Sequence, residues 1–438
     1  MQSRMTKRLV AVSMATALAA GLVGCSGPDG GGDGGEGGVT ITFWDHSGNP
    51  TRAETYEALI EEFEKTHEGI TVDFLTLPSD SAFEKIQTSL ASSDAPDIAS
   101  LSGTFVAPFT GQDALLNLDD RFADSPLADE LEPGLVDVMR NDSRDGGLYA
   151  LPYTLTYGIM WYRTDLWAEA GYPDGPATWD DFYAGAEKLT SPKDGQYGFA
   201  MRGGAGGVFQ FLQAMYAQSG VETLFDDDGV STIDDPANLE AFTQYVGLYK
   251  NATSEADLGY GYPDMVAAFD SGAAASLQHN LGSYGEHAAT LGENFAGIPL
   301  PESADGKRVV ITDPIPSFAI FKETEHPDET WEFLEFMLSE SSNGALNETI
   351  GQIPSNIESR SEAWVSDLQS VSAASEWMNG DVTLMSAPTY LPDYGTIMRN
   401  EMEPELQRVL LGELDPADFL HSWADRMTEA QQAYLGDK

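Results

Sequence analysis

The residue types able to do chemistry gather where β-rich runs end. The run VTITFW (39–44) stops at DHSGNP, which places Asp45, His46 and Ser47 at the end of a strand. A carboxylate there can accept two hydroxyl hydrogen bonds in bidentate fashion, or it can cap the following helix. A lone histidine such as His46 is more often structural, and Trp44 serves equally well as core or as a flat platform. Thr104 occupies the comparable place after PDIASLS, and Tyr153 and Tyr157 alternate along LPYTLTYG, facing one side of a strand. MRGGAGGVFQF is a Gly-rich loop feeding a helix. It has neither the GxGxxG spacing nor the Lys-Ser/Thr of a P-loop, which excludes a nucleotide reading.

Catalytic sets at recognisable spacing are missing. There is no GxSxG and no HExxH, and the six histidines have no metal-ligand spacing. FDDDGVSTID invites calcium, but counting back from Gly229 puts Leu224 at the first ligand position, and no Glu ends the loop. It reads as an acidic turn, so no metal or other cofactor is expected. With 71 Asp and Glu, some carboxylate pair always sits at a glycosidase-like separation, so abundance does not argue for hydrolysis.

The only cysteine, Cys25, closes Leu22-Val23-Gly24-Cys25 behind Arg4, Lys7, Arg8 and an uncharged run from Leu9 to Val23. A basic start, a short apolar stretch and small residues describe an export signal over 1–24. The run is too short to span a membrane, which needs about 20 apolar residues. Leu-x-Gly-Cys resembles the bacterial lipobox, whose cysteine sulfur takes a diacylglyceryl group before cleavage. Cys25 is therefore the expected lipidation site, and SGPDGGGDGGEGG makes 25–38 a flexible tether reaching roughly 20 Å. A single cysteine permits no disulfide within the chain.

The formal net charge is −49, and removal of the basic leader makes the mature chain more acidic still. Such a surface repels nucleic acid and anionic lipid, and disfavours anionic small ligands unless a well-placed arginine overrides the field. The residues after 38 suffice for two core-forming lobes. Aromatics make up 10% of the chain, with 8 Trp and 17 Tyr; these residues stack on sugar rings and also fill cores.

Helical spacing of Tyr56, Leu59, Ile60 and Phe63 predicts a helix after the first strand. ITVDFLTL, FEKIQTSLASSD and PDIASLS continue as strand, helix and strand, which implies a parallel sheet with helices on both faces. Ligands bind beyond the carboxyl ends of such strands, here at DHSGNP and SGTF. Thr178 and Asp235 are expected N-caps. There is no internal repeat and no membrane-spanning run after the signal.

In this order the chain resembles the family 1 extracellular solute-binding proteins of ABC importers, the maltose-binding-protein-like group. ITFWDHSG resembles the family's first strand and ligand loop, and SSDAPDIASL its PD-containing strand entry. GIMWYRTDLWAEAGYPDGPATWDDF is the most specific match, with Arg163 at the usual Asn. MVAAFDSGAAASLQHNLGSYGE, HPDETWEFLEFMLS and IGQIPSN follow in family order. The resemblance implies an α/β, two-lobed periplasmic-binding-protein-like fold of type II, with a multi-crossing hinge and an interlobe ligand cleft. By analogy lobe 1 holds 39–150 plus 305–355, and lobe 2 holds 151–304 plus 356–438.

It further implies a carbohydrate ligand, a di- or oligosaccharide, captured without catalysis and delivered to ABC permease subunits. The protein would be a monomer, exported and lipid-anchored to the outer face of the cytoplasmic membrane. Tyr284 stands at the family's ring-stacking Trp, with Asn280 before it in the same loop as a hydroxyl binder. Arg202 and Phe209 lie in a region that approaches ligand in the family, and one of Tyr153 and Tyr157 is expected to face the cleft. Asp45, His46, Trp44, Thr104 and Tyr394 complete the candidates. The rivals are a secreted glycoside hydrolase and a polysaccharide-binding surface protein without transport.

Overall fold

The computed structural model describes residues 38–436 apart from 142, 144 and 379. The export signal, Cys25 and the tether through residue 37 lie outside the described residues. Strand β1 (Val39–Asp45) leads into α1 (Pro50–Thr66), capped by Asn49, whose Oδ1 accepts from Arg52 N at 3.0 Å. Proline at the first helical position suits this start, because its missing N–H would find no helical partner there. The helix buries Tyr56, Leu59, Ile60 and Phe63, as their spacing predicts. Then come β2 (Ile70–Thr76), α2 (Ala82–Ser92) and β3 (Ile98–Leu101), with β1 parallel to both neighbours.

Two later segments complete this sheet: Ser317–Ile320 runs antiparallel to β3, and Leu151–Pro152 pairs with it in turn. The order is therefore β2, β1, β3, 317–320, 151–152. It is a mixed sheet, not the parallel one expected, because 317–320 enters from distant chain, which local patterns do not reveal. The helix Pro327–Leu338 covers one face and sets Phe333 edge-on to Phe43, ring centroids 5.4 Å apart.

The second lobe is built around Gly158–Arg163, antiparallel to Ser276–Asn280 on one side and Phe295–Pro299 on the other. Ile159 and Trp161 enter the first apolar cluster, whereas Met160 and Tyr162 enter the second. A strand buried on both faces reads as a continuous apolar run, and GIMWY is one. Arg308–Thr312 pairs in parallel with Val382–Ser386 and packs under the helix Gly207–Ser219. The helix Pro236–Val246 and the last helix, Pro416–Gly436, close the cluster, with Phe242 stacked on Phe419 at 5.3 Å. The expected caps are present: Thr178 Oγ1 accepts from Asp181 N at 3.1 Å, and Asp235 Oδ1 from Ala237 N at 2.8 Å.

Three passages of chain run side by side between the lobes. Thr154–Leu155 pairs antiparallel with Ile353–Pro354, and Asp313 N donates to Thr156 O at 3.1 Å. Asn343 and Asn347 both donate side-chain N–H groups to the Tyr153 carbonyl, at 2.8 and 2.9 Å. These buried amides pin the point where the chain leaves the first sheet. Among the described residues no helix is long and apolar enough to cross a membrane.

Candidate ligand-binding cleft

A cavity of about 370 Å³ opens where the lobes and the connecting passages meet. Ser102 and Thr104, just beyond β3, form one wall together with Pro314 and Pro316. This is the carboxyl end of the parallel strands, where ligand sites of open sheets lie. Opposite are Arg202, Phe209, Gln210 and Gln213 from the Gly-rich loop and the helix after it, with His279 and Asn280 at a strand end. Tyr394, Met398, Arg399 and Glu403 close the third side, and Thr156, Asp313 and Gln352 come from the connecting passages. Two roomier grooves, of about 640 and 600 Å³, lie around Trp179, Glu240 and Asp305 and around Pro108, Tyr149 and Pro392. The smaller cavity is the better site, because unpaired buried polar atoms point to it. Gln210 Nε2, His279 Nδ1, Thr156 Oγ1 and the Tyr394 hydroxyl have no protein partner, and such groups are costly unless a ligand or water satisfies them.

Asp313 is the polar centre. One carboxylate oxygen accepts from Gln213 Nε2 at 2.9 Å and the other from Asn280 Nδ2 at 2.5 Å. Burial raises its pKa, while the two amides and Arg202 pull it back down. Burial also holds His279 down to about 3, so its ring is neutral at physiological pH. Phe209 is half-buried against the second apolar cluster and lines the cavity. An aromatic face beside planar amides and a carboxylate can grip a sugar ring by its C–H face and its hydroxyls.

The glycines around Arg202 serve close packing and not phosphate binding. Arg202 Nε donates to Ala205 O at 2.5 Å. A Cβ on Gly206, whose φ is +83°, would come within 2.5 Å of Arg202 Nη2, and one on Gly207 within 2.0 Å of the Arg202 carbonyl. The side chain thus lies folded against its own loop in a conformation open only to glycine. Burial holds the guanidinium below its ordinary pKa, against the pull of Asp313 and Glu403.

Of the expected residues, Thr104, Arg202, Phe209, Asn280 and Tyr394 meet in this cavity. The others do not line it. Asp45 is wholly buried, and its Oδ2 accepts from Ser47 N at 3.1 Å, Ser47 Oγ at 2.5 Å and Thr76 Oγ1 at 3.2 Å, tying the ends of β1 and β2 together. His46 donates from Nδ1 to the Ser100 carbonyl at 3.0 Å; burial lowers its pKa to about 4. Trp44 packs half-buried against the first cluster. Tyr153 and Tyr157 are both core residues: the Tyr153 hydroxyl accepts from Arg52 Nη1 at 3.1 Å, and that of Tyr157 donates to Ala374 O at 3.0 Å. Both rings pack into the first apolar cluster on the side shared with Leu155, and it is Thr156, on the other side of the same segment, that lines the cavity. Tyr284 opens a short helix and leans on Phe295, centroids 5.6 Å apart, away from the cavity lining.

Asp313, Gln210, Gln213, His279, Arg399 and Glu403 were missed by sequence reasoning. Asp313 carries a usable signal, since ITDP ends a strand just as FWDH does. Arg399 lies on Ile397–Met402, a π-helical turn that no local pattern announces.

The sequence profile of the bacterial extracellular solute-binding proteins matches residues 47–344. The diacetylchitobiose binding protein DasA of Streptomyces coelicolor is 22% identical over 432 residues, covering 94% of this chain and 96% of its own. The sugar-binding protein MalE of Xanthomonas citri superimposes with a TM-score of 0.76 at 22% identity, over 91% of this chain and 100% of that one. UgpB of Mycobacterium tuberculosis, in complex with glycerophosphocholine, gives 0.76 at 20% identity, over 92% and 99%. The fold is thus the two-lobed, maltose-binding-protein-like one.

Proposed function

We propose that this chain, which belongs to the bacterial extracellular solute-binding protein family, captures a di- or oligosaccharide between its lobes and delivers it to the transmembrane subunits of an ABC importer. The observation that carries this reading is the 370 Å³ cavity with walls from both lobes, where Phe209 lines the same space as Asp313, Asn280 and Gln213. DasA and MalE, named for a chitobiose derivative and for sugar binding, support a carbohydrate over other solutes. Contacts from both lobes favour the closed state over the open one, because only the closed state makes them all together. The permease then reads the closed shape.

The same proposal makes the chain a monomeric binding protein and not a hydrolase. Both oxygens of Asp313 already accept hydrogen bonds from the protein, which leaves that carboxylate poorly placed as a general acid or nucleophile. Cys25 is the lipid anchor, holding the protein on the outer face of the cytoplasmic membrane. Lobe 1 is drawn as 39–150 plus 305–355 and lobe 2 as 151–304 plus 356–438. The strand Arg308–Thr312 contributes Val310 to the first cluster and Val309 and Ile311 to the second, and its pairing with Val382–Ser386 and packing on Gly207–Ser219 favour moving the later boundary to about Asp313.

Calorimetry with a panel of oligosaccharides, with product analysis alongside, tests the proposal. Micromolar or tighter binding without turnover is expected. Product formation, or no sugar binding at all, contradicts it.

A further inference from the structure

In a chain with 71 acidic and 22 basic residues, an arginine without a carboxylate at ion-pair distance stands out. Arg121, Arg140, Arg163, Arg308, Arg360 and Arg426 each bridge a carboxylate. Arg52, Arg202, Arg399 and Arg408 are in no ion pair among the described residues; Arg52 donates to the Tyr153 hydroxyl and Arg408 is exposed, and of the four only Arg202 and Arg399 line the interlobe cavity. The glycine loop fixes Arg202 through Nε and leaves its two terminal nitrogens without a protein partner. Arg399 is presented by the π-helical turn Ile397–Met402, an irregularity that recurs at functional sites.

The hydrogen-bonding balance of the cavity points the same way. Its carboxylates already accept from the protein: Asp313 from Gln213 and Asn280, and Glu403 from Gly206 N at 3.2 Å. Of the buried atoms left without a partner, Gln210 Nε2 can only donate, whereas the Thr156 and Tyr394 hydroxyls and His279 Nδ1 can donate or accept. Gln210 Nε2 and the Tyr394 hydroxyl belong to side chains more than nine-tenths buried, and neither is hydrogen-bonded. A ligand that completes this site brings an acceptor for Gln210 and negative charge for the two guanidinium groups. The planar guanidinium fork matches a carboxylate in bidentate fashion. A phosphate adds a second charge, which the acidic field of the chain opposes. That field is screened beyond about 8 Å in physiological salt, whereas contacts to the forks act at about 3 Å.

We propose that the captured sugar carries a carboxylate, as a uronic acid residue does, held by Arg202 and Arg399. This rests on the carbohydrate reading above and narrows it. The full chain is titrated calorimetrically with matched pairs, cellobiouronic acid against cellobiose and digalacturonate against digalactose, with glucose 6-phosphate as a third arm. At least one uronate should bind ten or more times tighter than its neutral partner, about 1.4 kcal/mol. Arg399→Met, at an exposed position, should abolish that preference. Arg202→Lys keeps the charge but loses the fork and the Nε bond to Ala205 O, and should weaken uronate binding several-fold while neutral-sugar affinity changes little. Equal or tighter binding of the neutral sugars overturns the carboxylate assignment while leaving the carbohydrate reading intact. Preferred binding of the phosphate overturns it too. If no sugar of any kind binds, the carbohydrate reading has failed and takes this inference with it.

Discussion

Asp257 offers a test of the energetics behind the site. Its side chain is 2% exposed, and its Oδ2 accepts from Met201 N at 2.7 Å while its own carbonyl accepts from Gly203 N at 3.0 Å. It therefore holds both flanks of Arg202. Burial raises its pKa from 3.8 to about 7, against the opposing pull of the Met201 N–H. The folded protein binds this proton more tightly than the unfolded chain does, so the group's contribution to stability falls as pH rises from about 4 to about 7. Above pH 7 the full penalty is in place, roughly 4 kcal/mol at 1.36 kcal/mol per unit. Asp257→Asn keeps an acceptor for the Met201 N–H and never ionises. Urea unfolding followed by Trp fluorescence, at pH 5 and pH 8, should show the variant gaining about 2–3 kcal/mol on the native chain between the two. The other carboxylates titrate identically in both proteins and cancel in the difference. A gap that is the same at both pH values refutes the account of this carboxylate as buried and destabilised by its charge.

Other outcomes follow from the same geometry. Asp313→Ala leaves buried amides of Gln213 and Asn280 short of an acceptor; it should cost about 1–3 kcal/mol of stability and lower ligand affinity tenfold or more, read by melting and calorimetry. Tyr284→Ala should lower stability by about 1–3 kcal/mol through lost packing on Phe295 and leave affinity unchanged; an affinity loss without a stability loss would put that ring on the ligand. Cys25→Ser should block maturation or release the protein from the membrane, by fractionation, with sugar affinity untouched.

Local order was readable where one helix face or one cap decides it. The burial of Tyr56, Leu59, Ile60 and Phe63, and the caps at Thr178 and Asp235, follow from spacing and from backbone N–H groups that need an acceptor. The mixed sheet was not readable, because the pairing of 317–320 with β3 joins segments more than 200 residues apart. Tyr153 and Tyr157 show the limit of period-two reasoning: alternation says which residues share a side, not whether another layer covers that side. Asp45 looked like a ligand carboxylate because strand ends carry both ligand contacts and loop ties, and here it is a loop tie. Its counterpart Asp313, at the end of a later strand, reaches the cavity because the connecting passages carry it there. Arg399 depends on a helical irregularity with no sequence signature.

The most direct measurement is a crystal structure of the full chain with a carbohydrate found by calorimetry. The account predicts the sugar in the cavity between the lobes, one ring within about 4 Å of Phe209 and its polar groups on Arg202, Arg399 and the Asp313–Asn280 pair. A sugar seated in the outer groove by Trp179 and Asp305, or a cleaved product in the cleft, would contradict it.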